Sequence, residues 1–150
     1  MELYLDADGC PVKDETYKVA RRYGMTVHVV ANAALRVPPD PIVILVVVKH
    51  GFDAADDWIA ERIGPKDIAI TSDIPLAERC LVRGARVLSP RGEPFTEEGI
   101  GEALATRALL EMLRQSGTIG GGPPPFSARD RSNYLAKLDE TIQTLKRKRY

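Results

Sequence analysis

Short apolar, β-branched runs alternate with amphipathic helical stretches along residues 1–92, and this alternation constrains the fold more than any other feature. Leu3 to Leu5 reads as a short strand. A helix follows, opened by Pro11 and closed by Gly24. Val12, Thr16, Val19 and Tyr23 recur along it at helical spacing and form a buried stripe. Thr26 to Ala31 reads as a second strand. Ile42 to Val48 is continuously apolar, the pattern of a strand covered on both faces. A helix after Gly51 carries Ala55, Ile59 and Ile63 on one stripe and ends at Gly64-Pro65. Asp67 to Thr71 is then a strand, Ile74 to Arg83 a helix and Ala85 to Leu88 a strand. The pattern predicts a three-layer α/β/α sandwich around a mostly parallel central sheet. The segment ANAALRVPPDP between the second and third strands shows no helical pattern. Parallel crossovers usually carry a helix, so the direction of the third strand stays open.

The rest of the chain reads as a helical extension. Thr96 caps a helix running to about Gln115, with Ile100, Leu104, Ala108 and Met112 as an i+4 ladder. A Gly/Pro-rich break spans residues 116–126. It serves as a linker, as a flap over a site, or as the joint that lets the last helix pack on a neighbouring subunit and form a homo-oligomer. Ser127 caps that last helix, on which Tyr134, Leu138, Ile142 and Leu145 share a face. A length of 150 residues fits one domain, with 1–92 as sheet core and 93–150 as extension.

The formal net charge is zero, so the chain as a whole has no general attraction for a polyanion. Its distribution is uneven. Acidic residues gather between Asp53 and Asp73, whereas Lys146-Arg147-Lys148-Arg149 near the end either steers a polyanion or complements a helix dipole. Cys10 and Cys80 have no metal-type spacing and form no disulfide framework. Reduced thiols, no leader-like N-terminus and no bilayer-length apolar run lead us to expect a soluble cytoplasmic protein.

Aspartates fall where the strands end. Asp6 and Asp8 lie two apart in LDADGCPV, Asp53, Asp56 and Asp57 in GFDAADDWI, and Asp73 in ITSDIPLA. Crowded carboxylates repel unless a cation binds between them. Magnesium and manganese take such hard oxygen ligands, polarise phosphates and acidify attacking water. Each aspartate also has a plainer role. Asp53 with Asp56, and Asp73 before Ile74-Pro75, suit helix caps, and Asp8-Gly9 suits a turn. Asp57 reads as a solvated neighbour and Asp67 as the start of a strand. Around the same edge stand Asn32, Arg36, Lys49, His50, Arg91, Arg129 and Arg131, suited either to phosphate contacts or to the surface. His50 reads as an exposed loop residue and His28 as a packing one. The helix start beside Cys10 would lower its pKa, although a buried thiol is the plainer reading. Cys80 sits on an apolar stripe.

The segments DADGCPV, ANAALRVPP, GFDAADDWI, TSDIPLA, LSPRGEPFT and GGPPPFSARDRSNYLAKLD together resemble the bacterial YaiI/YqxD family over nearly the whole chain. More distantly, the placement of aspartates resembles the PIN-like nuclease superfamily, including its NYN branch. The family pattern covers Asp6, Asp8, Cys10, Asn32, Arg36, Asp53, Asp56, Asp73, Arg91, Asp130 and Arg131. The PIN-like resemblance implies that Asp6, Asp53, Asp56 and Asp73 hold magnesium or manganese. The long helical extension departs from a minimal PIN domain.

These readings lead us to expect a metal-dependent nuclease acting on RNA. Asp8 would assist the metal ligands, Thr71 would orient the attacking water, and the arginines and Lys49 would hold the backbone. Two alternatives stand beside it. One is a non-catalytic nucleic-acid or nucleotide-binding module, favoured by the scarcity of aromatics for base stacking. The other is a haloacid-dehalogenase-like phosphatase, because LDADGCPV resembles a D-x-D-G-T segment with Asp6 as nucleophile and Asp8 as general acid. Cys10 replaces its threonine, and only Lys49 and Lys66 are candidates for its lysine.

Overall fold

Alternation along a pleated strand sends Leu3 and Leu5 to one face of β1 (Leu3–Asp6) and Tyr4 to the other. All three are buried, so this strand is covered on both sides. It occupies the middle of the sheet in a computed structural model that describes residues 1–49, 51, 53–117 and 125–147. β2 (Val27–Ala31) and β4 (Ile68–Ile70) flank it in parallel. Outside β2 lies β3 (Val43–Val47), and outside β4 lies β5 (Arg86–Leu88), both again parallel. A two-residue antiparallel strand, β6 (Pro94–Phe95), closes the second edge, giving the order β3-β2-β1-β4-β5-β6.

Helices cover both faces, as the three-layer α/β expectation required. On one face Leu3, Leu5, Val29 and Ile70 pack with Val12 and Val19 of the α1 region (Lys13–Tyr23) and with Tyr134, Leu138 and Ile142 of α5 (Ala128–Arg147). On the other, Tyr4, Val30, Ala69 and Val87 pack with α2 (Ala54–Arg62) and α3 (Ile74–Val82). α4 (Glu97–Gln115) lies against α3. The chain winds outward from β1 through β2 to β3, then returns to β4 and winds the other way. β1 and β4 therefore flank the topological switch point, where open α/β sheets bind their ligands.

One question left open is answered, and one expectation is corrected. The third strand is parallel, although its crossover from β2 has no helix. Leu35, Val37 and Ile42 of that irregular crossover pack into the α1-side core, doing the covering that a helix usually does. β3 is an edge strand rather than one covered on both faces, and Ile44 is 42% exposed. The ladder along α4 is buried only at Ile100, while Ala108 and Met112 are exposed. Only the first turns of α4 reach the body of the protein, so helical periodicity there marks a stripe but not its burial. The Gly/Pro-rich break falls largely outside the described residues.

α5 is locked to its own chain. Thr16 donates its hydroxyl proton to the Val12 carbonyl at 2.7 Å, so the fully buried Tyr134 hydroxyl is the donor in the 2.6 Å bond to Thr16 Oγ1. Arg131 pairs with Glu15 at 2.7 Å and Arg91 with Asp130 at 3.1 Å. Tyr23 adds a hydrogen bond to Asp139. The turn after β5 touches the helix backbone at Gly92, whose φ is +84° and where a Cβ would come within 2.7 Å of Asn133. Gly92→Ala combines left-handed strain with a clash and is expected to cost at least ~2 kcal/mol. Gly117→Ala, at φ +76° with open space around it, is expected to cost only about 1 kcal/mol. Urea unfolding of the two variants, compared at equal slope, checks the difference.

Candidate metal centre at the carboxyl edge of the sheet

All five parallel strands end at one edge, and the aspartates gather there. Asp6 is the last residue of β1 and half-buried. Thr71 follows β4 across the switch point and is 1% exposed. Its hydroxyl donates to Asp6 Oδ2 at 2.8 Å and accepts the Asp73 N–H at 3.0 Å. Asp73 caps α3, with Oδ1 accepting the Leu76 N–H at 3.0 Å. Its other oxygen has no partner among the described residues. One short chain of hydrogen bonds thus sets two carboxylates side by side. Thr71 is enclosed and its one proton is committed to Asp6, so it positions that carboxylate.

Asp56 approaches from the first turn of α2. Its pKa is pushed up to about 6, first by burial and then by the charges of Asp73, Asp6 and Asp53, with Arg79 opposing. Asp6 is also raised, by burial and by Asp73 and Asp8, although the Thr71 bond offsets part of this. These mutual shifts place Asp6, Asp56 and Asp73 in one electrostatic neighbourhood. Asp53 stands at the N-cap of α2 but makes no capping bond and is exposed. Asp8 is exposed and accepts the Asn32 N–H at 2.9 Å, which ties the turn after β1 to the loop after β2. Asp57 pairs with Arg79 at 2.8 Å.

Among the described residues, no three His, Cys, Asp or Glu side chains stand close enough to enclose an ion. The donor chemistry nevertheless fits magnesium or manganese. The donors are all carboxylate oxygens, and a magnesium site commonly uses one or two of these and keeps several waters. Asp6 and Asp73, tied through Thr71, stand side by side there, and Asp56 shares their electrostatic neighbourhood.

The surrounding cations divide into two groups. Lys49 after β3, Arg36 in the crossover and Arg129 at the start of α5 are exposed. Arg91 and Arg131 instead hold α5 through Asp130 and Glu15. His50 lies outside the described residues. Cys10 is buried, and burial pushes its thiol up rather than down. Cys80 is core, pushed up to about 12 by burial. His28 packs as expected, stacked on Tyr4 at 4.7 Å with Nε2 2.6 Å from Glu2. Two residues escaped sequence reasoning. Arg79 offsets the charge on Asp56, and its place two turns after Asp73 on a helix starting at this edge was the available signal. Asp67 does not merely start a strand: it accepts the N–H groups of Glu2 and Gly64 at 3.0 and 2.9 Å.

A family model described as "Uncharacterized BCR, YaiI/YqxD family" matches residues 4–144. The chain belongs to the YaiI/YqxD family. A UPF0178 protein of Paramagnetospirillum magneticum is 57% identical over 146 residues, covering 97% of each chain. Another from Rhodopseudomonas palustris strain BisB5 is 56% identical over 98% of this chain and 90% of its own. A third, from Rhodospirillum centenum, is 57% identical over 99% of both chains. No solved structure matches. Among the described residues, no helix is long and apolar enough to cross a membrane.

The raised Asp56 sets the sign of a pH effect. Its neutral form favours the folded state, so its contribution is complete below the ordinary carboxylate range and disappears as pH rises through about 6. Asp56→Asn lacks that loss. Melting temperatures of the two proteins are expected to coincide near pH 4, with the variant several degrees higher near pH 7.5. A pH-independent difference would contradict the crowding.

Proposed function

We propose that this protein is a magnesium- or manganese-dependent nuclease that hydrolyses RNA phosphodiesters at the carboxyl edge of its sheet. One observation carries the reading. Doubly wound folds with this strand order cradle phosphates on a glycine-rich turn after the first strand. Here that turn is DADGCPV, and Asp73 and Asp56 crowd it from β4 and α2. Such an edge repels phosphate unless a cation lies between them.

Asp6 and Asp73 would bind the ion directly, and Asp56, Asp53 and Asp8 would reach it through water, since no three acidic side chains among the described residues stand close enough to enclose one. Bound there, the ion would neutralise phosphate charge and acidify an attacking water. Thr71 keeps the Asp6 carboxylate fixed while its proton stays with the protein. Lys49, Arg36 and Arg129 would meet the phosphate backbone from the rim. The PIN-like resemblance agrees with this set of carboxylates.

The phosphatase alternative fits less well. Asp8, its general acid, already accepts the Asn32 N–H, and Cys10 stands where that segment carries threonine. A non-catalytic binding module is the second reading, favoured because no three acidic side chains among the described residues stand close enough to enclose an ion.

Asp73→Asn separates these readings cleanly, since asparagine preserves the α3 cap. With single-stranded RNA and manganese, the wild type is expected to cleave and the variant to lose at least ~100-fold in rate at a melting temperature no lower than that of the wild type. Cleavage retained by the variant would remove the proposal. RNA binding without manganese-binding heat in calorimetry would favour the binding module.

A further inference from the structure

The two edges of the sheet are treated differently. β6 is only two residues long, contains Pro94 and follows Glu93, all features that discourage pairing with another strand. β3 has none of them. Val43–Val47 contains no charge, no proline and no bulge, and pairs one-to-one with β2. Its side chains are apolar on both faces, and Ile44 is 42% exposed.

Backbone hydrogen bonds show what the outer side of β3 offers. Ile42 accepts from Val27, and Val48 donates to Ala31, so the even-numbered residues face β2. By the alternation of a parallel ladder, Val43, Leu45 and Val47 face outward. Val43 N–H closes a turn onto Asp40. The N–H and C=O groups of Leu45 and Val47 have no partner among the described residues. α4 also exposes apolar residues, Leu109 and Met112, but a helix satisfies its own backbone, so of these two surfaces β3 is the one with unmet backbone groups.

We propose that β3 pairs with β3 of a second copy of this chain, antiparallel about a two-fold axis at Leu45, joining the two sheets into one. In that register Leu45 faces Leu45 as a hydrogen-bonded pair, and Val47 donates to Val43 of the other copy. Ile44 faces Val46 across the non-bonded positions, where side chains approach most closely. The exposed Ile44 is thereby covered. Lys49 of each copy comes beside the Asp40–Pro41 turn of the other, a contact of opposite charges at the rim. Because the pairing is antiparallel, the two carboxyl edges face opposite ways, so each acidic site stays open.

Light scattering on the full chain, with amide hydrogen exchange, tests this. A mass of twice 16.5 kDa is expected, with slow exchange at the Leu45 and Val47 amides. Ile44→Lys places a charge on the shared face and is expected to halve the mass and speed both amides, with circular dichroism unchanged. A wild-type monomer at high concentration would overturn the pairing. So would a dimer whose Leu45 and Val47 amides exchange rapidly, a result that does not depend on how the variant folds.

Discussion

The hydroxyl of Thr71 holds the carboxylate of Asp6 across the switch point of the sheet, and the acidic edge is organised around that bond. It joins the end of β1 to the end of β4 at 2.8 Å. The same oxygen receives the Asp73 amide, so the start of α3 is set by the contact that fixes Asp6. Asp56 then enters a neighbourhood already negative and partly dry, and its pKa rises to about 6. Folding stability alone would favour a neutral group there. Like charges kept close despite mutual repulsion are what a cation-binding site requires.

α5 gives this edge one of its walls. Sequence reasoning treats residues 93–150 as an extension, yet Tyr134, Leu138 and Ile142 complete one of the two cores. Arg91 and Arg131 anchor the start of that helix near the strand ends, through Asp130 and Glu15. The two anchoring arginines are thus engaged within the protein, whereas Arg129, Arg36 and Lys49 are exposed. The last helix packs on its own chain, with Tyr134, Leu138 and Ile142 fully buried.

Much of the fold was legible because local signals were strong. Gly24 with φ +64° closes α1 where the sequence places its end, and Asp73 caps α3 through Leu76. The stripe at Ala55, Ile59 and Ile63 is buried as its spacing predicts. The misreading of β3 has a physical cause: the pattern reports which residues are apolar, not whether a neighbour arrives to cover them. Ile42 to Val48 looked like a strand covered on both faces for that reason. At the site, residue types and strand-end positions revealed the aspartates. The commitment of Thr71 to Asp6, and of Arg91 and Arg131 to α5, depends on contacts between segments far apart in sequence, which spacing does not encode.

The central claim is that Asp6, Asp56 and Asp73 share one divalent cation. Paramagnetic broadening by manganese tests it most directly, because it reads position without needing a substrate. Substoichiometric manganese is expected to erase the amide signals of Asp6, Ala7, Asp56, Ser72 and Asp73 first, and Asp56→Asn is expected to weaken the effect. Intact signals at those residues, or first broadening at a distant acidic stretch such as Glu97-Glu98, would contradict the account.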